Sequence, residues 1–159
     1  MAILDWIALN LGTWVHELPW TWPIMETFHF FGLCLLLGAL IVIDLRLLGF
    51  DRAIPAFSVH DLLPWVYAGF AINLLTGIVF FVGDPHRYAV NIAFQLKMIL
   101  VVFAGLNALY YQLKLAPVVD TWTEQTEIPT NAKVVAALSL LLWLGVLSYG
   151  RLIPYLGTG

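Results

Sequence analysis

The stretch that decides the fold covers residues 26–49, ETFHFFGLCLLLGALIVIDLRLLG, and it is typical of one long helix embedded in a membrane. Its uninterrupted apolar run, residues 30–43, covers only about 21 Å at about 1.5 Å per residue. A hydrocarbon core is about 30 Å thick, so at least one polar end of this helix must lie inside the bilayer. Ionisable groups at that depth usually face a bundle interior, a partner or a cofactor. The candidate chemistry therefore starts at Glu26 and His29.

The composition of the whole chain is that of a membrane protein. Of its 159 residues, 62% are hydrophobic and 11% are charged, whereas soluble domains carry about 25% charged residues. These values predict an integral membrane protein of a single domain, residues 1–159, in contact with the lipid bilayer. The sequence has no basic patch, which excludes nucleic acid as a partner. The single cysteine, Cys34, lies inside the apolar run and cannot form an internal disulfide.

Four apolar stretches are long enough to cross a bilayer, and they cover about residues 23–48, 62–82, 91–115 and 131–151. Before them, residues 3–17 repeat apolar side chains at helical spacing but are too few to span. Such a segment is typical of an amphipathic helix that lies along the membrane interface. The sequence thus predicts an all-α fold, a four-transmembrane-helix bundle with an N-terminal interfacial helix.

The placement of lysine and arginine predicts the orientation of the bundle. The loops after the first and third spans hold four of these residues and the opposite face holds two, namely Arg46, Arg52, Lys114 and Lys133 against Arg87 and Arg151. Because positively charged loops stay in the cytoplasm, we expect both termini on the outer side.

Counting along the helices brings several polar groups to one level of the membrane. His29 and Lys97 both fall about 22–26 Å from the inner boundaries of their helices. Glu26 is expected one turn above His29, because side chains at i and i+3 stack on one face. A polar cluster is therefore expected in the outer half, joined from the surface helix and the outer loop by His16, His86 and Arg87. His60 falls on the opposite side.

Haem b is one interpretation of this cluster, since histidine ligates haem iron and basic groups can neutralise the propionates. His29 would be the first iron ligand. Lys97 and Arg87 would balance the propionate charge, and Glu26 would orient the histidine or accept a proton. No other histidine lies within a span, so the second ligand would come from His86, His16 or Met98.

Other interpretations of the same residues stay open. Copper favours imidazole and soft ligands, which here would be His29, His86, His16 and Met98. A buried, hydrogen-bonded cluster of Glu26, His29 and Lys97 could instead serve fold specificity alone, and proton or small-solute traffic is a third use of such groups. The sequence shows no Ser–His–Asp order, Gly-rich phosphate loop or HExxH motif, so we expect no independent catalytic activity.

The remaining polar and small residues of the spans predict contacts between helices. Asn73, Thr76 and Asn107 predict interhelical hydrogen bonds, and Gly69, Gly77 and Gly105 permit close approach of helices. At the end of the first span, Asp44 and Arg46 predict a local ion pair that anchors the helix at the inner interface.

Two segments carry a resemblance to known proteins: residues 26–50, ETFHFFGLCLLLGALIVIDLRLLGF, and residues 94–111, FQLKMILVVFAGLNALYY. They resemble an uncharacterised family of small bacterial four-helix membrane proteins. More distantly they resemble the copper-resistance protein D group and the HemJ-type protoporphyrinogen oxidase group. The residues that carry the resemblance are His29, Gly38, Asp44, Arg46, Lys97 and Asn107. The resemblance implies copper handling or haem b binding in a bacterial inner membrane, where the orientation expected from the lysine and arginine placement would put both termini in the periplasm.

Together, the residues and the resemblance favour a small haem-b-type electron-transfer subunit, or an anchor for a redox partner. An electron would pass between a periplasmic partner and the quinone pool or another membrane subunit. A cofactor-free accessory subunit of a larger membrane complex is the first alternative, and a copper-handling membrane protein is the second.

Overall fold

The structure, a computed structural model, describes residues 2–50, 54–119, 121–122 and 126–156, and every regular element within them is a helix. In chain order these elements are α1 Ala2–Asn10, α2 Thr13–Glu17, α3 Thr21–Leu48, α4 Ala56–His60, α5 Leu63–Gly83, α6 Pro85–Val90, α7 Ile92–Tyr110, a π-helical segment Tyr111–Leu115, α8 Ala116–Val119 and α9 Thr130–Leu156. The predicted all-α fold is confirmed.

Four helical stretches are long and apolar enough to cross a membrane. They are Thr21–Leu48, Ser58–Gly83, Ile92–Val119 and Thr130–Leu156, which confirms the predicted bundle of four spans. The end of the bundle at which α3 ends and α9 begins is called the inner end below, and the opposite end the outer end.

The segment predicted as one interfacial helix, residues 3–17, is divided into α1 and α2. The helix is interrupted at Gly12, where a Cβ atom would lie 2.6 Å from the carbonyl oxygen of Val82 on α5. Only glycine permits this approach of two backbones. The apolar spacing of residues 3–17 therefore continues across Gly12, although the helix itself is interrupted there. Before this interruption, several apolar side chains of α1 are exposed, among them Ile3, Trp6 and Leu9.

The four long helices pack in the order α5, α3, α9, α7, so that α3 and α9 lie in the middle. The closest approach is between α3 and α5, where a Cβ atom on Gly69 would lie 2.5 Å from the Leu36 amide nitrogen and 2.7 Å from the Gly32 carbonyl oxygen. Small residues let membrane helices pack this closely without a hydrophobic driving force. Of the three glycines predicted to permit close approach, Gly69 does so, whereas Gly77 and Gly105 face open space.

The buried apolar core lies towards the inner end. Leu36, Ile43 and Leu47 of α3 belong to it, together with residues of α4, α8 and α9 such as Val59, Val119 and Ala136. α4 packs against both α3 and α8. The short elements after the first and third spans therefore cover the inner end of the bundle.

The outer end is held by Asn91, which is 2% exposed. Its Oδ1 atom accepts from the backbone N–H groups of Ala93 and Phe94, and its Nδ2 atom donates to the Ile153 carbonyl at 2.9 Å. One side chain thus caps the start of α7 and ties it to the end of α9. This tie requires α9 to continue past residue 151, where the fourth span was predicted to end, and α9 does so with Pro154 inside it.

Candidate functional site

His29 lies within α3 and turns towards α5. Its Nδ1 atom is 2.7 Å from the hydroxyl oxygen of Thr76, and its ring centroid is 5.5 Å from that of Phe80. The Thr76 hydroxyl is buried and also lies 2.7 Å from the Ile72 carbonyl one turn back, to which it donates its single hydrogen. The Asn73 carbonyl is a second acceptor for the same hydroxyl at 3.2 Å. With the hydroxyl hydrogen assigned to these carbonyls, Thr76 accepts from His29, which assigns the proton of a neutral ring to Nδ1 and a lone pair to Nε2. The predicted interhelical role of Thr76 is confirmed, and its partner is the candidate ligand itself.

Lys97 approaches the same region from α7. A Cβ atom on Gly150 of α9 would lie 3.3 Å from the Lys97 ammonium nitrogen, so the glycine leaves room for the ammonium group. Lys97 is close enough to act electrostatically on the His29 imidazole. No hydrogen bond or ion pair to Lys97 is found in the part of the chain that the structure describes. The outer half therefore combines an oriented imidazole with an uncompensated cation.

Asn73 adds an unused acceptor near these groups. It lies one turn before Thr76 on α5, and its Nδ2 atom donates to the Gly69 carbonyl at 2.9 Å. Its Oδ1 atom is buried and has no hydrogen-bond partner. Buried polar atoms normally find a partner. Asn73 was predicted to form a hydrogen bond between helices, but the hydrogen bond described for its side chain stays within α5.

Glu26 lies one turn above His29, as predicted, but the structure shows no bond between them. The Glu26 side chain is exposed, and its Oε1 atom accepts from the Trp22 indole N–H at 3.1 Å. The only hydrogen bond described for the His29 ring goes to Thr76. A direct Glu26–His29–Lys97 hydrogen-bonded chain is therefore not what holds the imidazole.

The other residues proposed for the site lie at the outer surface. His16 places its Nε2 atom 2.7 Å from the Gly83 carbonyl, seven residues beyond Thr76 on α5 and so about 10 Å away along the axis. His86 pairs with Asp5 of α1 at 2.9 Å. Arg87 is exposed, and Met98 is 42% exposed. Among the described residues, no three His, Cys, Asp or Glu side chains gather closely enough to hold a metal ion.

At the inner end, the expected ion pair between Asp44 and Arg46 is wrong. The two side chains diverge, because residues two apart on a helix point to different sides. Arg46 donates from Nε to the Ile54 carbonyl at 2.7 Å. Asp44 lies beside Ser139 of α9, and its buried Oδ2 atom has no hydrogen-bond partner.

A comparison of the chain with protein families, with curated proteins and with solved structures finds no match. The resemblance to copper-resistance protein D and HemJ-type proteins therefore stays a prediction.

Proposed function

We propose that the chain is a membrane subunit whose outer half binds one haem b through His29, for electron transfer or for anchoring a redox partner. The observation that carries the proposal is the bond from His29 Nδ1 to Thr76. A hydrogen bond to the other ring nitrogen fixes the tautomer of a ligating histidine and leaves Nε2 for the metal. Bound haem would supply the one-electron iron couple.

The chain's other groups have supporting roles in this proposal. Lys97 would offset one propionate charge, since it has no anionic partner among the described residues and lies near His29. Arg87, exposed at the outer end, would contact a propionate only where the group reaches the surface. Glu26 would act at the mouth of the site rather than on the imidazole.

The residues present fit a haem with one protein ligand better than a haem with two. His16 and His86 use their Nε2 atoms for Gly83 and Asp5. Met98 is 42% exposed, so its side chain lies at the surface of the bundle rather than inside it. A sixth ligand would then come from outside these residues.

The test is a visible spectrum of the protein purified in mild detergent from haem-supplied cells, before and after dithionite. We expect a Soret band that is lost in His29→Ala and weakened in Thr76→Val. His86→Ala is the matched control, because His86 is exposed and paired with Asp5. A colourless wild-type protein, or a Soret band that survives in His29→Ala, would contradict the proposal.

A cofactor-free accessory subunit is the second candidate, and the outer helices of the bundle favour it. In the apolar stretches of the second and third spans only 17% and 11% of the residues are buried, against 33% in the first. Lipid can cover such faces, and so can the helices of a larger complex. Purification of the chain with stoichiometric larger subunits and no chromophore would support this candidate. Stoichiometric copper in a sample without haem would support copper handling instead.

We further propose a bacterial inner-membrane location with both termini in the periplasm. The support is the excess of lysine and arginine in the loops at the inner end. Alkaline phosphatase fused after residue 159 should be active in whole cells. The same fusion in the loop between the third and fourth spans should be inactive, and the reverse pattern would contradict this orientation.

A further inference from the structure

The inner half of the bundle holds a second ionisable group, Asp44, which the proposed haem site does not use. Asp44 lies four residues before the end of α3 and is 4% exposed. Ser139 of α9, 7% exposed, is the polar side chain beside it. The Oδ2 atom of Asp44 is buried without a hydrogen-bond partner. A carboxylate in this position has lost its contact with water, and the Ser139 hydroxyl is the polar group near it.

No countercharge compensates Asp44 within the described residues. The charged and titratable groups of the elements packed around it either bond elsewhere or lie apart from it. Arg46 bonds to the Ile54 carbonyl, and the His60 ring lies against Tyr111. The others are exposed or half-buried, namely Asp61, Tyr67, Lys114 and Lys133. An ionised carboxylate buried without a partner is strongly destabilising in a protein interior.

A metal ion is a poor occupant for this position. Mg²⁺ takes six oxygen ligands and Ca²⁺ six to eight, whereas the carboxylate and the Ser139 hydroxyl supply at most three oxygens. No group of three or more candidate metal-binding side chains occurs in the described ranges. A proton needs one oxygen only, and Oδ2 is available for it.

The inner end also offers a place for a water next to this part of α3. A cavity of about 10 Å³ is lined by Ile43 and Leu47 of α3 and by Arg46, His60 and Tyr111. This volume is close to the smallest that holds one water molecule. Asp44 does not line this cavity, which adjoins the same part of α3 through Ile43 and Leu47.

We propose that Asp44 is a proton-binding site that exchanges protons with the inner end of the bundle. An O–H bond forms between Oδ2 and a proton delivered by water. The carboxylate charge of −1 is neutralised, and no redox partner is needed. Membrane-embedded carboxyl groups of this kind form proton relays in pumps and transporters. The inference is independent of haem, since it uses none of the outer-half residues.

The experiment uses dicyclohexylcarbodiimide, an apolar reagent that modifies protonated carboxyl groups in membranes. The carboxyl O–H adds across one C=N bond, and acyl migration to nitrogen gives a stable acylurea with no group lost. The wild-type protein in lipid vesicles at neutral pH should carry one adduct on the peptide that contains Asp44. Asp61, exposed at the same end, is the matched control and should react only with a water-soluble carbodiimide and an amine.

A second readout does not depend on the reagent. The infrared spectrum of the wild-type protein at neutral pH should contain a carboxylic-acid C=O band that is absent from Asp44→Asn. If that variant fails to fold, the labelling of the wild-type protein decides alone. Absence of the adduct from Asp44 overturns the proposal, and so does an infrared difference spectrum without an acid band.

Discussion

The close contact between α3 and α5 at Gly69 predicts that Gly69→Ala destabilises the protein. The new Cβ atom would lie 2.5 Å from the Leu36 amide nitrogen, 0.9 Å short of the 3.4 Å at which ordinary contact begins. The three nearest atoms all belong to backbone, so no side chain can rotate away and the helices must separate. Overpacking of this kind costs about 1–3 kcal/mol, and alanine returns about 1 kcal/mol through its higher helix propensity.

Gly77→Ala is the matched control on the same helix, because a Cβ atom there meets nothing within 4 Å. The gain in helix propensity is common to both variants, so it cancels when their stabilities are compared. The remaining difference of about 1–3 kcal/mol isolates the clash at Gly69. A domain of this length shifts its Tm by about 2–4 °C per kcal/mol.

The assay is thermal unfolding in mild detergent, followed by far-ultraviolet circular dichroism. We expect Gly69→Ala to melt below the wild-type protein and Gly77→Ala to melt at or above it. Equal shifts in the two variants would refute the argument, since they would mean that α3 and α5 do not meet at Gly69.

Three further predictions concern the outer end. Asn91→Ala removes the cap of α7 and leaves the Ile153 carbonyl without its side-chain donor. The free energy of unfolding should therefore fall by about 1–3 kcal/mol. A change within about 0.5 kcal/mol would contradict the role of Asn91. Asp5→Asn weakens an exposed pair with His86 and should cost less than about 1 kcal/mol, with faster hydrogen exchange confined to α1; protection lost throughout the bundle would contradict a local contact. Desolvation raises the pKa of Tyr88 above its ordinary value of 10.0, and Asp84 and Glu26 add to this while Arg87 opposes it. The folded state then keeps this proton to a higher pH than the unfolded state does, so stability should fall as pH rises above 10.0. A titration followed by tyrosinate absorbance in which no tyrosine has a raised pKa would contradict this prediction.

The sequence predicts the four spans well because each is a long apolar run without competing signals. It predicts less about which faces meet, since nearly every face of these helices is apolar. Gly69 and Gly77 look equivalent in the sequence, and only the packing shows that one touches α3 and the other faces open space. The same limit explains why two polar partners were missed, namely Thr76 for His29 and Ser139 for Asp44.

The surface residues of the candidate site show a second limit. Counting along helices gives the depth of a residue but not the direction of its side chain. His86 was placed correctly at the outer end, yet its ring turns to Asp5 of α1, which lies 81 positions earlier in the chain. Short helices outside the bundle add partners of this kind, which the periodicity of the sequence does not reveal.

The proposed haem site depends most on the protonation state of the His29 ring nitrogens, which one measurement determines directly. Solid-state NMR of the protein in lipid, with ¹⁵N-labelled histidine, distinguishes the two ring nitrogens, and loss of a signal in His29→Ala assigns it. We predict a proton on Nδ1, a bare Nε2, and loss of this tautomer preference in Thr76→Val. A ring with its proton on Nε2, unchanged in Thr76→Val, would contradict the bond to Thr76 and the haem site built on it.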